Sequence, residues 1–263
     1  MGGYIEGEDA YEDPKLRLCN PNPEAFVGAV NLAVYLQGQW QLGFGLQLAA
    51  GLRAEGNWYD LDSETISSAE AGIRFRNDRW LVDAALFAMR KQDGVIRDAD
   101  GFNVSGGRSR HAGVELDLDA SLTPALTLAV AASYAKHVYD FDRVAAQGET
   151  FVAGRDVDTA PRWLASPELD YGALPWLALS LQWNRIGKYW VDAENAHDYP
   201  GHAVWNARVS VLPSGAWAIN LRLNNVSDVR YADRADYAFG DYRYFPGRGR
   251  ELFVELRYSG GAG

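Results

Sequence analysis

In segment after segment of this chain every second residue is apolar, and this period of two constrains the fold more than any other feature. Within Val114–Ala120 the apolar residues alternate with acidic ones, and within Ile219–Asn224 they alternate with Asn and Arg. Successive side chains of a β-strand point to opposite faces, so the pattern predicts strands with one face in an apolar medium and the other in water. The sequence shows neither helical heptads nor alternation of strands with helices, and the predicted fold class is all-β.

The connections between these segments alternate between tight turns and longer polar loops. The turns are rich in Gly, Pro and Asn, which favour sharp reversals of the backbone. The longer loops run through about residues 60–65, 93–108, 142–158, 192–201 and 228–243. Such unlike ends predict an antiparallel up-and-down sheet. We expect about eleven strands, at residues 30–42, 46–59, 67–77, 80–92, 109–122, 125–140, 160–172, 176–190, 202–212, 217–227 and 250–258.

Several of these strands are longer than the roughly five or six residues of a typical soluble strand. Long strands with unlike ends are typical of a transmembrane β-barrel, here a partial one of about 11–12 strands. Aromatic residues, 13% of the chain, are expected at the two membrane interfaces. Trp80, Trp176, Trp217 and Tyr258 lie near the tight turns, and Tyr59, Tyr139, Tyr189 and Trp190 lie toward the long loops. The alternative is a soluble two-layer β-sandwich, whose inner faces also hold aromatics.

Charged residues on the water-facing side are predicted to line the barrel lumen. Glu115, Asp117 and Asp119 share one face of their strand at a spacing of about 7 Å, and Arg208 and Arg222 lie on the same kind of face. Carboxylates at that spacing would also suit acid–base catalysis. No nucleophile, phosphate-loop or dinucleotide motif accompanies them in the sequence, so we expect a wetted wall and no enzyme.

Charge and residue spacing argue against several partners and cofactors. The formal net charge of −10 disfavours binding to nucleic acid. The four His residues lack metal-ligand spacing, and a hairpin turn explains Asp98–Gly101 more simply than a calcium loop does. We expect no metal and no cofactor.

The first 29 residues differ from the rest of the chain. They are acidic and contain neither the basic nor the apolar stretch of a signal peptide. No apolar run reaches about eighteen residues, so a membrane-spanning helix is not expected. The predicted organisation is an acidic N-terminal segment at 1–29 and a barrel portion at 30–263.

The end of the chain carries the most specific motifs. Asn225–Asp228 with Tyr231 is followed by Pro246–Arg250 and an alternating last strand. This arrangement strongly resembles the closing segment of TonB-dependent outer-membrane receptors, in which an Asn-Leu-x-Asp-x-x-Tyr element leads into the last hairpin and a Pro-Gly-Arg-x-Arg element enters the last strand. The resemblance covers about residues 30–258, with weaker matches at Gly51–Glu55, Gly101–Val104, Arg110–Leu116 and Asp158–Trp163.

The resemblance implies a receptor and transport protein of the bacterial outer membrane for iron–siderophore complexes or similar nutrients. Its partners would be outer-membrane lipid, an iron–siderophore ligand and an energy-coupling complex. In that family the long outer loops help to hold the ligand, and aromatic loop tips suit flat or catecholate ligands. The candidate ligand-binding residues are Tyr189, Trp190, His197, Tyr199, Tyr237, Phe239, Tyr242 and Tyr244.

The sequence also departs from the family pattern. The family has a TonB box, a plug domain and about twice as many strands, and it usually ends on an aromatic residue, whereas Tyr258 is followed here by Ser259–Gly263. We therefore expect a C-terminal barrel fragment without plug domain or TonB box. It is either half of a split receptor, whose partner is a separate N-terminal barrel and plug chain, or a truncated gene product without a function of its own. A passive outer-membrane pore and a soluble β-sandwich binding module are the alternatives. Because the two edges of an eleven-stranded sheet run in parallel, closure would need residues 1–29 or another chain, or the sheet would stay open.

Overall fold

The structure is a computed structural model that describes residues 30–58, 63–97, 102–144, 150–214 and 216–259. All regular secondary structure in these residues is β-strand, which confirms the predicted fold class. In chain order the strands are β1 (Val30–Gly43), β2 (Leu46–Trp58), β3 (Glu64–Arg76), β4 (Trp80–Arg97), β5 (Asn103–Thr123), β6 (Leu126–Tyr139), β7 (Arg143–Val144), β8 (Thr150–Phe151), β9 (Trp163–Leu174), β10 (Leu177–Ile186), β11 (Tyr189–Trp190), β12 (Asp198–Tyr199), β13 (His202–Ser214), β14 (Trp217–Asn224), β15 (Ala232–Ala238), β16 (Asp241–Pro246) and β17 (Glu251–Tyr258).

Eleven of these strands form one antiparallel up-and-down sheet, in the order β1-β2-β3-β4-β5-β6-β9-β10-β13-β14-β17. Their number and order confirm the predicted sheet. The other six strands form three two-stranded ribbons, β7–β8, β11–β12 and β15–β16. They lie mainly in predicted loops, except that β11 occupies the end of the predicted strand 176–190, which stops at Ile186 in the structure. Four of the six have only two residues each, which is too short for alternation to be visible in a sequence.

The strand register aligns the apolar side chains in rows across the sheet. Leu221, for example, lies between Val209 of β13 and Val254 of β17, and residues paired across strands share a face. Large side chains of this face are open to the surroundings, among them Leu36 (73% exposed) and Leu252 (64% exposed). No second sheet covers them in the described part of the chain. A sandwich would bury this face against protein, so the arrangement is that of a barrel wall.

The β4–β5 hairpin extends further than predicted, because residues 93–97 and 103–108 continue the two strands instead of forming a loop. Register shifts between Lys91 and Gly94, and between Gly94 and Ile96, mark a bulge. At the bulge the backbones are close, since a Cβ added to Gly107 would lie 2.8 Å from the carbonyl oxygen of Gly94. Gly94 and Gly107 suggest a loop in the sequence, but in the structure they form a bulge and the two strands continue beyond it. The hairpin tip, with Asp98–Gly101, lies outside the described residues.

The aromatic residues at the two ends of the sheet behave differently. Those near the tight turns are between 40% and 61% exposed, in agreement with the predicted girdle, namely Trp80, Trp176, Trp217 and Tyr258. At the opposite end, Tyr139 and Tyr189 are only 8% and 7% exposed. Their predicted position in a lipid-facing girdle is therefore wrong, because protein side chains cover them. Tyr59 lies outside the described residues.

Strands β1 and β17 form the two edges of the sheet. Within the described ranges neither of them pairs with a further strand, and an odd number of antiparallel strands makes the two edges run in the same direction. The predicted acidic segment 1–29, and its predicted part in closure, lie outside the described residues. None of the described segments forms a helix long and apolar enough to cross a membrane.

Candidate functional site

The long-loop end of the sheet holds most of the buried apolar side chains. The β11–β12 and β15–β16 ribbons pack around what we call the ribbon cluster, which consists of Tyr189, Val191, Tyr199, Ala232 and Ala235. Val191 is 2% exposed and Ala235 is fully buried. The connections at this end are thus built around an interior of their own.

Two tyrosine hydroxyls in the ribbon cluster hold the backbone of β15. The Tyr189 hydroxyl oxygen accepts a hydrogen bond from the Ala235 N–H (2.9 Å), and the Tyr199 hydroxyl oxygen accepts one from the Ala232 N–H (3.0 Å). Burial raises the pKa of Tyr189 above its ordinary value, because removal from water disfavours the charged phenolate. Both tyrosines therefore hold the β15–β16 ribbon in place through its backbone.

A second cluster joins the β6–β9 connection to the β10–β13 connection. Its buried members are Tyr139, Phe141 and Ala193. The ring of Phe151 stacks on that of Phe141, with 5.1 Å between centroids. The Asn195 side chain accepts a hydrogen bond from the Asp156 N–H (2.7 Å) and donates one to the Asp156 carbonyl (2.9 Å). These contacts fix the two connections to each other.

An exposed aromatic surface lies against the ribbon cluster. The His197 ring stacks on Tyr237 with 3.7 Å between centroids and 11° between planes. Tyr242 meets His197 edge to face at 5.5 Å, and the Tyr242 and Tyr244 rings are parallel to within 2° at 5.8 Å. We call His197, Tyr237, Tyr242 and Tyr244 the aromatic platform. Tyr242 is 40% and Tyr244 is 55% exposed, so both rings are open to a ligand.

A buried carboxylate holds the platform histidine in place. Asp192 Oδ2 lies 2.6 Å from His197 Nδ1, and Asp192 Oδ1 accepts a hydrogen bond from the Ala196 N–H (2.9 Å). The Asp192 side chain is only 9% exposed. The His197 ring is therefore fixed in its stacking position before any ligand arrives.

Two arginines lie on the opposite face of the β15–β16 ribbon from the platform, since Arg243 alternates with Tyr242 and Tyr244 along β16. The buried carboxylate of Asp236 pairs with Arg243 (2.6 Å) and with Arg234 (3.1 Å), so this trio has two positive charges and one negative. The Arg243 guanidinium also lies 5.8 Å from the ring of Phe239. Phe239 is 77% exposed and has a φ of 57°. Gly240 also has a positive φ (84°), so these two residues form the kind of tight hairpin turn that requires positive φ at both central positions.

The structure divides the eight predicted ligand-binding residues into an accessible group of five, a buried pair and one half-buried residue. His197, Tyr237, Tyr242 and Tyr244 come together in the platform, and Phe239 lies at the tip of the same ribbon. Tyr189 and Tyr199 are buried beneath it. Trp190 is half-buried, with the Lys188 ammonium 4.6 Å from its ring. Direct contact of these residues with a ligand stays a prediction, and the accessible group is its strongest part.

Sequence reasoning missed the charged residues around the platform and its ribbon. Arg234, Asp236 and Arg243 were not selected, although Asp236 and Arg243 lie directly opposite each other in the ribbon. Only knowledge of the β15–β16 pairing would have brought them together. Asp192 was missed because its partner His197 lies in the irregular part of a loop.

The motif at the end of the chain has a structural role in the same region. Gly247 lies under the ring of Tyr231, where an added Cβ would come within 2.2 Å of the ring carbon Cε2. The Gly247 N–H donates to the Tyr231 carbonyl (2.9 Å). Asp228 accepts a hydrogen bond from the Arg250 N–H (3.0 Å). The two halves of the motif thus bind each other at the base of the β15–β16 ribbon.

The charged residues predicted for the lumen share the polar face of the sheet. Glu115, Asp117 and Asp119 alternate with the apolar residues of β5, and Arg208 lies opposite Arg222. Arg208 also approaches Glu168 at 4.0 Å. Whether this face lines a lumen stays a prediction. In the residues that the structure describes, no group of three or more His, Cys, Asp or Glu side chains converges to hold a metal ion.

Comparisons with known proteins are consistent with this architecture. The family model described as TonB dependent receptor-like, beta-barrel matches residues 54–226. No curated protein matches the sequence.

Several solved structures have the same fold. They include the ferric-catecholate import receptor Fiu from E. coli K12 in its closed form (TM-score 0.70, 18% identity, 85% of this chain and 34% of that one). The siderophore receptor PiuA from Acinetobacter baumannii is similar (TM-score 0.69, 15% identity, 88% and 43%). So is the ferric citrate transporter FecA (TM-score 0.72, 17% identity, 86% and 38%). This chain therefore spans less than half the length of each, and at such identities the likeness shows the fold.

Proposed function

The chain belongs to the TonB dependent receptor-like β-barrel family, and from this membership we propose that it is part of a bacterial outer-membrane receptor that takes up iron–siderophore complexes. The apolar face of the sheet would contact outer-membrane lipid. A further barrel and plug segment and an energy-coupling complex would complete the receptor. The proposed role is transport, with no enzymatic step.

The observation that carries the proposal is the aromatic platform. Ferric catecholate complexes combine flat aromatic rings with net negative charge. The open faces of Tyr242 and Tyr244 suit the rings, through stacking. The guanidinium groups of Arg234 and Arg243, on the other face of the same ribbon, would attract the negative charge through the longer-range electrostatic field. Fiu is described as a ferric-catecholate import receptor, and this ligand chemistry fits the platform better than that of ferric citrate, which has no ring.

We predict that Tyr242→Ala weakens binding of a ferric catecholate about tenfold, or about 1.4 kcal/mol, because it removes a stacking face and the edge contact with His197. Tryptophan fluorescence quenching of the full chain in detergent, titrated with a ferric catecholate complex, measures the affinity. Tyr35→Ala is the matched control, since Tyr35 is also exposed (75%) but lies on the edge strand β1. We expect it to bind as the unchanged chain does.

Arg243→Ala separates the effect of charge from that of stacking. We expect it to weaken ferric catecholate binding as well, with a smaller loss at high salt, where the charge is screened. Equal affinities for Tyr242→Ala, Tyr35→Ala and the unchanged chain would contradict the assignment of the platform. Absence of ferric catecholate binding by the folded, unchanged chain would overturn the proposed ligand class and favour the passive pore.

A further inference from the structure

Two histidines face each other on the polar side of the sheet, on the adjacent strands β5 and β6. His111 and His137 are directly opposite in the register, and their Nδ1 atoms are 2.8 Å apart. His111 has the same strand parity as Glu115 and Asp117 and therefore belongs to the polar face. Both rings are only partly buried, so a small ion can reach them from that face.

The hydrogen bonds of the pair leave an Nδ1 lone pair of His111 directed at His137. His111 Nε2 lies 2.8 Å from the Ser109 hydroxyl. When Nε2 donates its proton to that oxygen, Nδ1 of His111 is unprotonated and presents its lone pair toward His137. If the proton on Nδ1 of His137 moves to its own Nε2, a tautomer change without net proton transfer, both Nδ1 atoms become donors to a metal.

The separation of the two nitrogens suits a shared ion. Two imidazole nitrogens that bind one ion at about 2.0 Å each lie roughly 3 Å apart in a tetrahedral arrangement. The observed 2.8 Å between the Nδ1 atoms needs only a small widening. An outer hydrogen bond such as that from His111 to Ser109 is the usual support of a metal-binding histidine.

We propose that His111 and His137 form a binding site for a copper ion. Among divalent first-row ions copper binds a given set of nitrogen donors most tightly, so a site with only two imidazoles favours it over zinc or nickel. Met89 of β4 lies opposite His111 on the same face, and a thioether is a soft donor that suits Cu(I). The site lies in the sheet and does not depend on the proposed siderophore function of the loops.

The charges around the pair are already compensated. Lys91, the cation on β4 near His111, pairs with Glu64 at 2.9 Å. Asp156, the carboxylate near His137, pairs with Arg162 at 2.7 Å. The imidazoles are therefore the available donors here. With only two or three protein ligands, the ion keeps open positions for water or another ligand, which suits a site that ions enter and leave.

Copper titration of the purified full chain in detergent tests the site. With CuSO₄, we expect the electron paramagnetic resonance spectrum of bound Cu²⁺ to show coupling to two imidazole nitrogens. His111→Asn and His137→Asn should each reduce this to one nitrogen and weaken Cu²⁺ binding at least about tenfold, since loss of an outer-shell contact alone costs that much. Circular dichroism and heat-modified gel mobility verify that each variant is folded.

Matched variants make the result decisive. His202→Asn removes a histidine at the start of β13 and should leave the two-nitrogen spectrum and the Cu²⁺ affinity unchanged. Met89→Leu should weaken Cu(I) binding, measured by competition with a Cu(I) chelator, and leave Cu²⁺ binding nearly unaltered. Equal copper affinity and spectra in the unchanged chain, His111→Asn and His137→Asn would overturn the site. Zn²⁺ bound as tightly as Cu²⁺ would overturn the choice of copper.

Discussion

Replacing Leu221 with arginine is expected to prevent stable membrane insertion of the chain. Leu221 lies in the apolar row between Val209 and Val254, near the middle of β14. A guanidinium on a lipid-facing strand costs about 2–4 kcal/mol at the centre of the bilayer, and the row offers it no acidic partner. We expect a large loss of protein from the outer-membrane fraction and loss of heat-modified gel mobility.

The neighbouring variant Arg222→Leu is the matched control for Leu221→Arg. Arg222 points to the opposite face, where it lies across from Arg208, so its removal relieves like-charge repulsion and leaves the apolar face intact. We expect near-normal yield in the membrane fraction. If both variants inserted equally well, or if Arg222→Leu were the worse of the two, the facing of the sheet would be reversed or the apolar face would not contact lipid.

Asn225→Ala is expected to lower the free energy of local unfolding at the long-loop end of the protein by about 3 kcal/mol. Asn225 is only 2% exposed. Its side chain donates to the carbonyls of Val229 (2.9 Å) and Arg248 (3.2 Å) and accepts from the Val229 N–H (2.9 Å). Buried groups left without a partner cost about 1–3 kcal/mol each. The φ of 48° at this position adds to the loss, because Asn tolerates that conformation better than Ala.

Limited proteolysis measures this change, since β14, the β15–β16 ribbon and the start of β17 meet at Asn225. We expect faster cleavage within residues 226–250 in Asn225→Ala. Asn220→Ala is the control on the same strand, because its side chain makes an exposed hydrogen bond to Glu255 (3.0 Å) and should matter little. Identical cleavage rates in the two variants would show that Asn225 does not stabilise this region.

The sheet could be predicted because its two faces meet different surroundings. A strand such as β5 alternates strictly, with Leu116 and Leu118 on one face and Asp117 on the other, and a shift by one residue would exchange the faces. The period of two is therefore visible in the sequence wherever the sheet is a single layer. The β4–β5 bulge was missed because the same glycines serve turns and bulges.

The interior of the loop end could not be predicted in the same way. Tyr189 and Ala235 are 46 positions apart in the sequence, yet the Tyr189 hydroxyl binds the Ala235 N–H. Side chains in short ribbons and irregular backbone show no period, so nothing local distinguishes a buried tyrosine such as Tyr199 from an exposed one such as Tyr244. The aromatic content of the loops was visible in the sequence, and its division between support and surface was not.

The sheet and the long-loop end exclude water by different means, and amide hydrogen exchange should reveal the difference. In the proposed receptor the apolar face of the sheet would depend on lipid, whereas the loop end covers its own backbone. The Val191 N–H donates to the His197 carbonyl (3.0 Å), and the Tyr237 N–H donates to the Val191 carbonyl (2.9 Å). These amides should exchange slowly in a bilayer and in a micelle alike, while those of the edge strand β17 should respond to the change of medium. The long-loop end would then stay folded in water as a small unit even when the sheet loosens.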